Sequence, residues 1–172
     1  MVGTGASVII RAAAVTDACS IAPIYAHHVL HGTASFEAEP PKPEFWVAKI
    51  NDLIARQWPF LVAEGDGVVF GYAYVTQFRD RAAYAHSCEN SIYLDHAATG
   101  QGIGTLLLQA LIEAARAAGF TQMIAVISDE TASVPLHRKL GFRHAGRMEK
   151  VGMKFERLLD TVYMQRGLNE NN

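Results

Sequence analysis

The clearest pattern of apolar and polar positions lies past the middle of the chain. Ile103, Leu106, Leu107, Ala110, Leu111, Ala114 and Ala118 recur at helical spacing, with Gln109, Glu113 and Arg116 on the opposite face. This predicts an amphipathic helix that Gly119 stops. A strand is expected at 8–11. A helix follows from Thr16 or Asp17 to about residue 31, with Ala18, Ile21, Tyr25 and Val29 turned inward. Residues 32–43 form a loop stiffened by prolines. Pro43 opens a second helix to about residue 57, with Trp46, Ile50, Leu53 and Ile54 as its buried stripe. Strands at 60–63 and 68–76 flank a turn at 64–67. Alternation weakens in 71–75, which marks an inner strand covered on both faces. A strand at 84–94 leads to the long helix. A buried strand at 123–127, a short helix at 132–140 and closing strands at 144–151 and 158–166 complete the order. No repeat or linker interrupts it, so residues 1–172 read as one domain.

Composition narrows the possibilities. A net charge of −2 leaves no basic footprint for nucleic acid. The two cysteines, Cys19 and Cys88, and the lack of a basic-then-apolar N-terminus point to reduced thiols in the cytoplasm. No apolar run approaches the roughly 20 residues that span a bilayer, so no membrane partner is expected. His27 and His31 share a helix face, but no carboxylate or cysteine completes a metal-ligand pattern beside them.

Between the strand ending at Leu94 and the long helix lie Gly100, Gly102 and Gly104. Alternating glycines allow a sharp turn and leave backbone N–H groups uncovered. Those groups, with the positive end of a helix dipole, suit a phosphate or pyrophosphate. A dinucleotide fold would need another glycine where Thr105 stands, and more strands after the turn. A P-loop would need Gly-Lys-Ser/Thr, which is absent.

Gly102-Ile103-Gly104 at this junction resembles the coenzyme-binding signature of the GNAT N-acetyltransferases, with Thr99 where that family has Gln or Arg. The order of elements is similar from Ile9 to about Leu168. Closer still, Thr33-Ala-Ser-Phe-Glu-Ala-Glu-Pro40, Gly71-Tyr-Ala-Tyr74, Glu89-Asn-Ser-Ile-Tyr-Leu94, Ala132 to Phe142 and Val151-Gly-Met-Lys-Phe-Glu-Arg-Leu-Leu-Asp160 resemble the phosphinothricin and methionine sulfoximine acetyltransferase subfamily. The resemblance implies an α/β (α+β) fold: a mixed, mostly antiparallel sheet of six to seven strands flanked by about four helices. It implies acetyl-CoA as co-substrate, no metal, a small-molecule amine as acceptor, and a homodimer. Other acceptors stay open (a polyamine, an aminoglycoside, a protein N-terminus), as does a non-catalytic acyl-CoA-binding module.

Acetyl transfer to an amine needs four provisions. The coenzyme must be held, through Gly100, Gln101, Gly102, Ile103, Gly104 and Thr105. The thioester carbonyl must be polarised by a backbone N–H of Ile92, Tyr93 or Leu94. The ammonium must lose a proton, and Glu89 matches the subfamily's acid for that task. The amine must also be oriented. Arg79 suits a substrate carboxylate, since a guanidinium binds one bidentately. Phe36 and Glu37, on the loop, are candidates to cover the substrate. Lys154, beside Phe155, is a candidate for the far wall. Glu130 and Ser133 fall beside the pantetheine arm. His137 is an acid or a polar contact, or a core histidine. Tyr93 and Tyr163 both remain candidates to protonate the leaving thiolate. Cys88 adjoins Glu89 but should point to the opposite face of the strand.

Overall fold

The computed structural model describes residues 7–128 and 131–169. Seven strands form one sheet: β1 (Ile9–Ala12), β2 (Phe60–Gly65), β3 (Val68–Gln77), β4 (Ser87–Leu94), β5 (Gln122–Ser128), β6 (Arg143–Lys154) and β7 (Arg157–Gly167). Four α-helices flank it: α1 (Ala18–His31), α2 (Pro43–Ala55), α3 (Ile103–Ala117) and α4 (Ser133–Lys139). The strand order is β1-β2-β3-β4-β5-β7-β6, antiparallel throughout except for β4 and β5. The expected mixed, mostly antiparallel sheet with four helices is therefore present.

Strand alternation divides the core in two. Ala63, Ala73, Val75, Cys88, Met123 and Ala125 meet α3 on one face. Val62, Phe60, Tyr72 and Tyr74 meet Ile21, Tyr25, Trp46 and Ile50 of α1 and α2 on the other. Residues 70–75 of β3 are all buried, as an inner strand covered on both sides must be. The β2–β3 connection is tighter than the expected four-residue turn. Asp66 (φ 51°) and Gly67 (φ 77°) alone make it, and two left-handed residues match the twist of a hairpin.

Four further expectations shift. Ile54 is 54% exposed, because α2 lays only Trp46, Ile50 and Leu53 on the sheet. Leu106 is half exposed, and the buried stripe of α3 is Ile103, Leu107, Leu108, Leu111, Ile112 and Ala115. The apolar alanines had drawn the predicted stripe about one position around the helix. Strand β4 starts at Ser87, because Ala82–Tyr84 closes a 3-10 turn first. Asp17 also stands at the start of α1 but does not cap it. Its carboxylate accepts the Ala14 N–H at 2.7 Å and the Arg11 guanidinium at 2.8 and 2.9 Å.

Candidate active site

Strands β4 and β5 pair for three rungs only: Ser87 with Gln122, Cys88 with Met123, and Glu89 with Ile124. Beyond Glu89 they part, and β5 continues its pairing with β7 alone. A cleft of about 260 Å³ opens in the fork. One side is Asn90 to Leu94, the other Val126 to Ser128, and Ser133, Leu136 and His137 close the end. A strand edge without a neighbouring strand presents N–H and C=O groups to whatever enters. On the α1 side of the sheet lies a second hollow of about 350 Å³, edged by Tyr25, Ser35, Phe36, Glu37 and Thr161. The cleft and the hollow share Ala34, Glu89, Tyr93 and Val126 to Ser128, so they run into each other at the fork.

The glycines beside the fork have two separate roles. Gly100 (φ 75°) and Gly102 (φ 81°) take left-handed turns, with open space where a Cβ would be. Gly104 lies inside α3, where a Cβ would meet Leu94 Cδ1 at 3.3 Å and Leu136 Cδ2 at 3.4 Å. It lets the helix start close against the end of β4. The N–H groups of Ile103 and Gly104, which open α3, have no intrahelical acceptor, so together with this open loop they fit a pyrophosphate. Gln101 Nε2 donates to the Ala97 carbonyl at 3.0 Å, and Thr99 Oγ1 to His96 at 2.9 Å. Both side chains thus brace the loop from outside. Thr105 N–H donates back to Gly102 O, and Ile103 is buried in the core.

Glu89 is half buried at the last β4–β5 rung. Burial pushes its carboxyl above the ordinary carboxylate range, and Arg79 partly opposes that shift. Arg79 itself is exposed beyond β3, with its guanidinium 4.8 Å from the Phe78 ring centre. Cys88 points into the other core, donating to Gln122 O, and burial raises its thiol to about 12. At that value it is no nucleophile at neutral pH.

His137 is buried in α4 and lines the cleft. Its Nδ1 lies 2.8 Å from the Ser133 carbonyl and its Nε2 3.1 Å from the Asn90 amide. Burial lowers its pKa, so the ring is neutral with one N–H. The Ser133 carbonyl can only accept, which places that proton on Nδ1. Nε2 then needs a donor, so we assign the Asn90 amide nitrogen, which otherwise has no partner, to face it.

Phe36 and Glu37 edge the hollow. Lys154 is placed differently from the expected wall. Its ammonium donates to Ser35 O at 2.5 Å and His28 O at 3.4 Å, tying the loop to β6. Tyr93 lines both spaces, whereas Tyr163 lines neither and stands with Phe78 and Tyr84 in another hollow. Glu130 lies outside the described residues. Among the described residues, no three side chains of His, Cys, Asp or Glu converge as a metal site.

Sequence reasoning missed several residues here. His28 Nε2 donates to Leu94 O at 2.7 Å across 66 residues, which no local pattern announces. Ser128 and Thr161 are buried polar residues beside the fork. The period-2 alternation that placed Glu89 could have flagged Asn90 on the opposite face.

Comparison with known proteins bears on these features. The model of the acetyltransferase (GNAT) family matches residues 25–142. The chain belongs to the GNAT acetyltransferases. This GNAT chain is 46% identical over 155 residues to a phosphinothricin N-acetyltransferase of Alcaligenes faecalis, covering 89% of this chain and 79% of that protein. It is 37% identical over 163 residues to an L-methionine sulfoximine/L-methionine sulfone acetyltransferase of Salmonella typhimurium, covering 94% and 95%. Among solved structures, a phosphinothricin acetyltransferase from Sinorhizobium meliloti in complex with acetyl-CoA superposes with a TM-score of 0.90 and 42% identity, covering 93% and 88%. An acetyltransferase from Salmonella typhimurium with its cofactor acetyl-CoA gives 0.92 and 36%, covering 95% of each chain. The protein is thus an acetyl-CoA-dependent N-acetyltransferase, and the fork and glycine loop fit that co-substrate.

Proposed function

We propose that this acetyltransferase modifies the α-amine of a small amino acid or analogue of the phosphinothricin or methionine sulfoximine type, by direct attack in a ternary complex. The observation that carries this reading is the meeting of cleft and hollow at Glu89, an acid that burial keeps partly basic. The named relatives support the substrate class.

Acetyl-CoA supplies an activated acetyl thioester. The residues of the chain do the rest. The loop from Gly100 to Thr105 holds the pyrophosphate with backbone donors, and Ser133 borders the arm. A backbone N–H of Ile92, Tyr93 or Leu94 polarises the carbonyl. Glu89 receives the proton of the incoming ammonium, directly or through a water, and as the C–N bond forms and the C–S bond breaks the Tyr93 hydroxyl at the fork gives a proton to the departing thiolate. Arg79 takes the substrate carboxylate, Phe36 and Glu37 cover the hollow, and Lys154 fixes the loop that carries them. His137 is a neutral polar contact at the closed end of the cleft.

The reading extends to the whole chain working as one domain in the cytoplasm, as a homodimer. Met148, Val151, Met153, Phe155 and Leu158 expose apolar surface on the β6–β7 hairpin, which supports a second copy covering it. No helix among the described residues is long and apolar enough to cross a membrane.

The test is Glu89→Gln, assayed by thiol release with phosphinothricin, methionine sulfoximine and methionine sulfone. We expect kcat to fall by roughly 10²–10⁴ with the Kd for acetyl-CoA unchanged. A variant that acetylates at the normal rate would remove Glu89 as the base. An unaltered enzyme that acetylates none of the three would remove the substrate class.

A further inference from the structure

Resting on the acceptor site just described, we propose that Glu37 is a specificity-determining residue that favours amino acids whose side chains carry no negative charge. The amine, carboxylate and side chain of an amino acid diverge from one carbon, so each needs its own direction. With the amine at Glu89 and the carboxylate at Arg79, the remaining direction is set by the register. Arg79 follows Gln77, which pairs with Cys88 near the start of β4. The loop bearing Glu37 lies toward the other end of β4, where Tyr93 O–H donates to Ala34 O. The acceptor's side chain therefore extends toward Glu37.

Glu37 is held at that place. Its N–H donates to Ser35 Oγ at 3.2 Å, and Ser35 Oγ is 2.8 Å from the Tyr25 hydroxyl. Lys154 grips the Ser35 carbonyl. The Phe36 ring lies so close to Gly152 that any Cβ there would overlap it. A loop tied at three successive residues cannot swing its acid away from an incoming anion.

The electrostatics point the same way. Among the described residues that line the hollow, the charged ones are Glu37 and Glu89, both acids. The nearest ammonium groups are engaged elsewhere. Lys154 faces the Ser35 and His28 carbonyls, and Lys49 stands over the Phe45 and Tyr74 rings. Both lysines lie near enough to feel the charge of Glu37, but neither ammonium lines the hollow, so a phosphinate at the side-chain tip would meet the acid first, and like-charge juxtaposition is how a site rejects a competitor. A sulfone or sulfoximine carries no such charge.

The experiment compares kcat/KM for L-phosphinothricin and L-methionine sulfone in the unaltered enzyme, in Glu37→Gln, and in Glu39→Gln as a loop acid outside the hollow. We expect the unaltered enzyme to prefer the sulfone. Glu37→Gln should raise the phosphinothricin-to-sulfone ratio by roughly five- to tenfold, Glu39→Gln should leave it unchanged, and added salt should raise it only when Glu37 is present. A ratio that Glu37→Gln does not move overturns the proposal while leaving the acceptor class standing. Failure of both compounds as substrates, with acetyl-CoA still bound, overturns the acceptor class and this inference together.

Discussion

Lys154 Nζ donates to the Ser35 carbonyl oxygen at 2.5 Å, joining the end of β6 to the loop after α1 across 119 residues. Burial lowers the pKa of this lysine and the nearby Glu37 raises it. The side chain is 126 residues from His28, whose carbonyl it also reaches. One cation thus holds in place the loop whose Ser35, Phe36 and Glu37 edge the hollow.

Lys154→Met should therefore act on the amine more than on the coenzyme. Leaving a buried carbonyl unpaired costs about 1–3 kcal/mol, so Tm should fall by several degrees. KM for the amine should rise several-fold while KM for acetyl-CoA moves little. Equal changes in both constants would argue against a tether specific to the loop.

The pH profile follows from Glu89. Burial raises its carboxyl and Arg79 lowers it. As the proposed base, Glu89 works when ionised, so kcat/KM should rise with pH through an apparent pKa above the ordinary carboxylate value of 4.5. Arg79→Ala removes the lowering influence, so the acidic limb should move to higher pH while KM for the amino acid rises. A limb that stays in place would show that Arg79 does not act on Glu89.

Two glycines separate packing from backbone strain. A Cβ on Gly71 would stand 2.8 Å from Tyr93 O and collide with Leu94, on the β3 side of the end of β4 that lines the cleft. Gly67 has open space but φ 77°. Gly71→Ala should cost about 1–3 kcal/mol and raise KM for acetyl-CoA. Gly67→Ala should cost about 1 kcal/mol and leave that KM alone. Chemical denaturation with steady-state kinetics checks both.

Asp17 sets an acid-stability limit. Its carboxylate accepts from Arg11 and from Ala14 N–H, and these bonds hold its pKa below the ordinary value of 3.8. A carboxyl lowered on folding stabilises the fold above its unfolded value, and that stability is lost as pH falls through the folded value. The side chain is 8% exposed. Asp17→Asn should cost roughly 2 kcal/mol at pH 7, and the difference from the unaltered protein should shrink below about pH 4. A difference constant with pH would contradict the assignment.

Much of the fold was legible locally. Helical spacing placed α3, a proline opened α2, and alternating runs marked the strands, because these signals depend on neighbours within a turn or two. The glycine turn was legible for the same reason: Gly100 and Gly102 adopt backbone angles that other residues avoid. Where local pattern erred, as at Leu106 and Ile54, the competing apolar faces were nearly equal and packing chose between them.

The sequence by itself determined the order of elements, the glycine cradle and the parity that puts Glu89 and Cys88 on opposite faces of β4. Tertiary structure alone decided that β4 and β5 separate after Glu89, because strand pairing joins segments over thirty residues apart. It also decided that His28 closes the end of β4 and that Lys154 ties the loop after α1 to the end of β6. Those contacts are set by how the sheet brings distant backbone carbonyls to a buried donor, and a carbonyl leaves no mark in the sequence.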